Sequence, residues 1–439
     1  MNIVKYRQSR SAGSGKAVFV DGVRTPFVKS FGVFQKSDTL ELYSRTVESL
    51  LRKTELDPEE IDEVSAGVVI PQTKNGNVAR DSIINLGLPN HIHGYTLNRA
   101  CTSSLHAIAD AAKEVAFGHP ALVLAGGVEC LSDVSIAYSK EARQFLLSLS
   151  KAKSTPDRIS VLKSFSAKDW LPKPPALAEP LTGLTMGESA EIMAKLNHIS
   201  RSEQDDFAAS SHQKASAAQE SGAFDEEVVP VWPSPKFDCI EKDNIVRGDT
   251  SVDKLSKLKS VFDRKYGSLT AGNSSALTDG AAVSLIADEG LAKDLGLSPK
   301  SRIIDFTFVG IDPLEQLLIG PAIAIPHLLK RNKMTFEDID LFEIHEAFAA
   351  QVLSCTKSMA SADFCEKYFG DTKAFGEIPE DKLNVNGGAI AIGHPFGATG
   401  SRLVTTISNE LIRRDKNLGL VAICAAGGMA GAMLIERIK

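Results

Sequence analysis

Six cysteines stand in the 439 residues, at positions 101, 130, 239, 355, 365 and 424, and no two are spaced as CxxC or as zinc ligands. That spacing excludes a zinc ribbon and a disulfide scaffold and fits free thiols in a reducing compartment. Positive charge is not in excess: the net charge is −6, which argues against general nucleic-acid binding. The first sixteen residues lack the apolar core of a secretory signal. They carry Lys5, Arg7, Arg10 and Lys16 and no acid, a weak likeness to a mitochondrial transit peptide. A short tail on a cytoplasmic protein is the favoured reading, with the mitochondrial matrix as runner-up. A long apolar run is nearly absent too. Residues 418–435 hold no charge, but a Gly-Gly pair sits in their middle, which predicts two buried strands and a turn at 426–428 in place of a membrane span.

What is present is concentrated near the C-terminus. Residues 387–402 read GGAIAIGHPFGATGSR and set one histidine, His394, among glycines and small residues. Glycine lets a backbone approach a ligand closely, and a histidine that only filled space would not need it on both sides. Cys424 follows in ICAAGGM, again beside glycines, and FEIHEAFAAQ places His345 and Glu346 after a short apolar run. Cys101 lies in NRACTSSL just before an Ala-rich helical stretch. Thr102, Ser103 and Ser104 are plausible cap or first-turn residues of a helix, and the positive end of the helix dipole there would favour a thiolate. Taken singly, each residue has a blander account. Cys101 and Cys424 could be small buried hydrophobes, His394 a loop histidine bonded to backbone, and His345–Glu346 a solvated helix start. Their combination is the specific signal, because all four fall at strand ends or strand–helix turns, where ligands of open α/β sheets bind.

Strand and helix patterns alternate: 17–21 (AVFVD), a helix over 40–53, a strand over 64–70, a helix ending near 116, and ALVLAGG at 121–127. The C-terminal half repeats a turn–helix–strand–Gly-Gly unit, from Ala398 through a helix to LVAICAAGG, and this predicts an internal duplication. Between the halves, residues 139–173 hold eight Lys/Arg against three acids, with Phe145, Leu146, Leu147 and Leu149 interleaved and Pro172, Pro174, Pro175 and Pro180 closing the segment. It reads as an insertion lying on the core, either a lid or a surface that meets an anionic membrane or a partner. The expected organisation is 1–130 with 261–285 as one half, 131–260 as a loop domain and 286–439 as the other half.

DGVRTPF, NRACTSS, AGGVE, MGESAE (186–191), TAGNSSALTDGAA (270–282), HEAFAAQ, GGAIAIGHPFGATG and CAAGGMAGAM resemble thiolase motifs in thiolase order over nearly the whole chain. HEAF in place of NEAF, the basic insertion and LIGPAIAIP resemble the β-subunit of the fatty-acid β-oxidation multienzyme complex. The resemblance implies an α/β fold with a duplicated five-layer α-β-α-β-α core and an inserted loop domain. It implies thiolytic cleavage of 3-ketoacyl-CoA by CoA, with Cys101 as nucleophile, His394 as its base, Cys424 as the acid/base for the acetyl-CoA enolate and His345 at an oxyanion site. Backbone N–H groups of Cys101 and the Ala426 region, where the family usually has glycine, would form a second such site. Met186, Ser275 and Arg247 match positions that contact CoA, and Thr185 replaces a frequent histidine. CoA is a substrate, and neither a metal nor a redox cofactor is implied. A homodimer core within an α2β2 complex is implied, the α-subunit carrying enoyl-CoA hydratase and 3-hydroxyacyl-CoA dehydrogenase. A β-ketoacyl synthase is disfavoured by Cys424. A biosynthetic acetoacetyl-CoA thiolase is the alternative.

Overall fold

The computed structural model describes residues 13–119, 121–171 and 178–439. The first half opens on β1 (Ala17–Arg24), an apolar strand buried at all but one position. Helix α1 (Thr39–Thr54) starts where the Asp38 carboxylate accepts the Glu41 N–H, and stops where Glu55 turns left-handed at φ 51°. Then come β2 (Glu63–Gly67), α2 (Val78–Asn85), β3 (His93–Leu97), α3 (Ser103–Ala116) and β4 (Leu122–Glu129). Strand β2 ends three residues before the apolar run does. The N–H groups of Val69 and Ile70 leave the ladder and donate to the Glu129 carboxylate at 3.1 and 3.0 Å.

The insertion carries α4 (Lys140–Lys151), α5 (Thr155–Leu162), α6 (Met186–Leu196) and α7 (Arg201–Glu220), each begun by a Ser or Thr whose hydroxyl caps the first turn. Helices α4 and α5 pack on each other, and Phe145 of α4 clusters with Phe165 and Trp170 from the stretch after α5, ring centroids 5.6–5.8 Å apart. Pro172, Lys173, Pro174 and Pro175 lie outside the described residues. Helices α6 and α7 return to the core. The chain then forms β5 (Thr278–Asp288), β6 (Ser301–Gly310), α8 (Pro321–Arg331), β7 (Leu341–Ile344), α9 (Ala349–Met359), α10 (Thr399–Arg413), β8 (Leu418–Ala425) and β9 (Met429–Arg437). The charge-free run 418–435 is thus two strands, and its turn takes left-handed backbone at Gly427 and Gly428 while Ala426 does not. Among the described residues no helix is long and apolar enough to cross a membrane.

The strands join in the order β3-β2-β4-β5-β1-β6-β9-β8-β7, with the two-residue strand Val28–Lys29 beside β5. Two stretches of this order are equivalent. In β1–β5–β4–β2 and in β6–β9–β8–β7 the first two pairings are antiparallel and the third is parallel. The halves meet at β1–β6 through Val18 opposite Arg302 and Phe19 opposite Ser301. Helices α3 and α10 lie against each other and touch strands of both halves, while α1 and α2 cover one outer face and α8 and α9 the other. That gives the five layers α-β-α-β-α. Residues 399–411 of α10 are all buried, as a helix packed between two sheets must be.

Candidate active site

The two central helices begin side by side, and glycine makes the contact close. A Cβ on Gly400 would lie 2.3 Å from Leu105 N, and one on Gly127 would lie 2.1 Å from Gly397 O. The Ser401 N–H donates to Ser104 Oγ at 3.0 Å, locking the first turn of α10 to that of α3. Cys101 stands just before α3, after Ala100, which is left-handed at φ 46°. His394 precedes α10. Cys424 lies on β8, and the His345 N–H donates to Ala422 O on the same strand at 2.8 Å. All four sequence-predicted residues therefore gather where the N-termini of α3 and α10 meet the ends of β7 and β8.

Ser103 and Ser104 stand in the first turn of α3 as expected, with Thr102 at its N-cap position, but a cap by the Thr102 side chain is corrected. Thr102 makes no side-chain cap. Its hydroxyl donates to Arg99 O at 2.8 Å, and Ser103 Oγ accepts the Arg99 N–H and donates to Ala100 O. These bonds fix the left-handed turn that presents Cys101. The expected thiolate is also corrected. Burial pushes the Cys101 thiol up to about 12, outweighing the backbone N–H of Ala426 and its own N–H, both of which bond the sulfur. Cys424 is held well above the ordinary thiol value, by burial first and then by the neighbouring Cys101 and Cys355.

His345 and His394 are buried, with ring centroids 4.0 Å apart. Thr399 Oγ1 donates its only proton to Pro395 O at 3.0 Å, so it accepts from His394 Nδ1 at 2.7 Å. The lone pair of His394 is then on Nε2, which has no partner among the described residues, and neither ring nitrogen of His345 has one there. Burial and the Arg402 guanidinium lower His394 to about 3. Burial, His394 and Arg402 lower His345 well below its ordinary value. Arg402 is itself buried, in an ion pair with Glu343 at 3.2 Å. Two neutral imidazoles thus turn unpaired nitrogens toward a site that also holds two protonated thiols and two backbone donors. Such a set can take a proton from a thiol, hold a developing oxyanion and return a proton to carbon.

Carboxylates that the motifs left unassigned support this seam. Glu129, raised to about 8 by burial, accepts the Gly397 N–H at 3.1 Å along with those of Val69 and Ile70. Glu346 is not a solvated helix start: it is buried and bonded to Ser211, Asn384 and Ile390. The signal for Glu129 was a lone acid ending an apolar strand, and for Glu346 an acid directly after His345. Met186 and Ser275 both border the core on the side of α9. Met186 packs against the cluster that contains Phe348, and the Ser275 N–H donates to Ala347 O at 3.0 Å. Arg247 is exposed and is placed by α7, its N–H donating to His212 Nδ1 at 3.3 Å. Among the described residues no three His, Cys, Asp or Glu are grouped to hold a metal ion.

The family model "Thiolase, N-terminal domain" matches residues 17–290, and "Thiolase, C-terminal domain" matches residues 297–437. The chain belongs to the thiolase family. This thiolase is 40% identical to a 3-ketoacyl-CoA thiolase of Shewanella amazonensis over 430 residues, 98% of this chain and 99% of the relative. It is 41% identical to one of Serratia proteamaculans over 421 residues, 96% and 97% of the two chains. Among solved structures, the Bacillus anthracis acetyl-CoA acetyltransferase superposes with a TM-score of 0.81 at 33% identity, covering 98% of this chain and 100% of that one. Human mitochondrial 3-ketoacyl-CoA thiolase superposes with a TM-score of 0.81 at 29% identity, covering 97% and 99%.

Proposed function

We propose that this thiolase is a 3-ketoacyl-CoA thiolase of fatty-acid β-oxidation, cleaving its substrate with CoA to acetyl-CoA and a shortened acyl-CoA. The observation that carries the reading is the gathering, at the N-termini of α3 and α10, of His345 and His394, whose Nε2 atoms have no partner among the described residues, with Cys101, whose sulfur faces the Ala426 N–H. A thiol near 12 and an imidazolium near 3 rest as neutral thiol and neutral imidazole. Attack is therefore tied to substrate binding. Cys101 Sγ adds to the C3 carbonyl as His394 Nε2 takes its proton, and the new oxyanion is held by the N–H groups of Cys101 and Ala426. The C2–C3 bond then breaks. Its electrons form the enolate of acetyl-CoA, whose oxygen is held by His345 and His394, and Cys424 protonates C2. Cys424, now a thiolate, takes the proton of the incoming CoA thiol, whose sulfur attacks the Cys101 thioester; the shortened acyl-CoA forms, Cys101 leaves as the thiolate, and His394 returns the proton it had taken. Every step is proton transfer or acyl transfer, so the chemistry calls for no redox or metal cofactor, and CoA is a substrate. Met186 and Ser275 would meet the CoA arm on its way to Cys101, and Arg247 would meet its far end.

The supporting names are those of the bacterial relatives, which also favour a cytoplasmic place over the mitochondrial matrix. A dimer core is supported by β3, an outer strand of the sheet with one unpaired edge. Membership of an α2β2 complex, and peripheral membrane contact through α4 and α5, rest on the exposed apolar and basic residues of that hairpin. The biosynthetic acetoacetyl-CoA thiolase is the second reading, favoured by the 33% identity to the Bacillus enzyme. Steady-state thiolysis across 3-ketoacyl-CoAs of about four to sixteen carbons decides between them. Replacing Cys101 by Ala is expected to cost at least ~10⁴-fold in kcat, because the covalent route is lost. Wild-type-like turnover by Cys101→Ala would sink the assignment.

A further inference from the structure

Residues other than Thr399 bond the backbone ahead of both histidines. Strand β7 ends at Ile344, and the next two residues are His345 and Glu346. The Ile344 N–H donates to Asn384 Oδ1 at 2.8 Å, and Asn384 Nδ2 donates back to Ile344 O at 2.9 Å. Asn384 therefore clamps the backbone at the residue before His345. The same Nδ2 donates to Glu346 Oε1 at 2.7 Å. Glu346 Oε2 accepts the Ile390 N–H at 3.2 Å, in the single helical turn Ala389–Ile392 that leads into His394. It also accepts from Ser211 Oγ on α7 at 2.7 Å. Ser211 Oγ in turn accepts the Gly388 N–H at 3.0 Å. The contact leaves no slack: a Cβ on Gly388 would lie 2.3 Å from the Glu346 carboxyl carbon, and one on Gly387 would lie 2.3 Å from Ser211 O.

We propose that Glu346 is a positioning residue for both histidines, its carboxylate tying the His345 strand, the His394 loop and helix α7 into one clamp. Three donors from three segments converge on it, and each has its proton directed at an oxygen. Only an acceptor with two oxygens meets them all. The clamp fixes one ring through the backbone of Ile344 and the other through Ile390, so the 4.0 Å separation is set from behind, not by bonds between the rings. It also gives the inserted segment a role at the active site, because Ser211 is the one member that the insertion supplies.

The consequence for catalysis rests on the 3-ketoacyl-CoA reading and is tested on the full-length protein with Glu346→Ala, Glu346→Gln and Ser211→Ala. A misplaced imidazole costs about 10²-fold, so Glu346→Ala is expected to lose ~10²-fold in kcat with KM within ~3-fold of wild type. Glutamine can keep Oε1 toward Ser211 and Ile390 while losing the Asn384 bond, so Glu346→Gln is expected to recover to within ~10-fold of wild type. Ser211→Ala, which spares the carboxylate, is expected to lose ~10-fold in kcat and carries the test should Glu346→Ala not fold. A crystal structure of each folded variant reads the clamp without reference to activity. The His345–His394 separation is expected to leave 4.0 Å in Glu346→Ala and to hold near it in Glu346→Gln. Should the wild type turn over no 3-ketoacyl-CoA, the functional reading fails and the ring separation alone judges the clamp. An unchanged separation, a kcat within twofold of wild type in Glu346→Ala and Ser211→Ala, a loss confined to KM, or a Gln variant as impaired as Ala overturns it.

Discussion

At His394 the fold keeps the imidazole uncharged down to about pH 3, whereas the same side chain in an unfolded chain takes its proton near 6.5. Between those values the unfolded state binds the extra proton, so this residue's contribution to stability is lost as pH falls from 6.5 toward 3. Glu129 and Glu343, raised to about 8 from 4.5, act with the opposite sign. Their contribution is present below 4.5 and is lost as pH rises toward 8. The histidine is isolated by comparing wild type with His394→Asn. The wild-type melting temperature is expected to fall relative to the variant's between about pH 6.5 and pH 4, and the difference to be flat above pH 7. A difference independent of pH across that range would show that His394 titrates normally in the folded protein. For the same reason kcat/KM is expected to show no inflection at 6.5 from His394, since its lone pair is available throughout the neutral range.

The meeting of α3 with α10 is where elements, not single side chains, decide the site. Gly127 on β4 faces Gly397 O so closely that a Cβ would sit 2.1 Å away, against backbone that cannot swing aside. Gly127→Ala is therefore expected to destabilise by about 3 kcal/mol or more, at the upper end of overpacking costs, and to lower kcat by displacing the loop after His394. Urea unfolding monitored by far-UV dichroism measures it. A midpoint equal to wild type would mean that the loop yields. These elements were legible to different degrees. The apolar runs at 17–21 and 121–127 each became a strand and the run 418–435 became two, because burial on both faces leaves an unbroken hydrophobic signature. Strand 64–70 ended early because Glu129, sixty residues away in sequence, takes two of its N–H groups. The four cysteines and histidines were legible because their glycine settings are unusual. Glu346, Asn384, Ser211 and Thr399 were not given roles. Their partners lie 38, 177 and 135 residues off, or in a local bond whose meaning depends on which ring nitrogen it holds. The predicted helix-dipole thiolate is opposed by desolvation, because local sequence shows the helix but not how the residue ahead of its cap is enclosed.

Over the whole molecule, the α4–α5 hairpin is the part that the fold does not use to bury itself. Leu147, Ile159, Leu162 and Phe165 are each more than half exposed, and Lys151, Lys153, Arg158 and Lys163 are exposed around them. Only Ala142 is buried in the two helices. A soluble helical pair ordinarily turns its leucines inward, so apolar groups ringed by bases fit a surface that meets an anionic layer. Each base near such a layer contributes about 1 kcal/mol, so reversing four of them to Glu is expected to weaken binding to phosphatidylserine vesicles by more than ~10²-fold. Raised salt is expected to weaken the wild type in the same direction. Co-sedimentation with anionic and neutral vesicles measures this. The site at α3 and α10 is built from other elements, so thiolysis of short 3-ketoacyl-CoAs is expected to be unchanged in the reversed protein. Equal sedimentation of both proteins, together with a loss of kcat/KM confined to long-chain substrates, would instead assign the hairpin to covering the acyl chain.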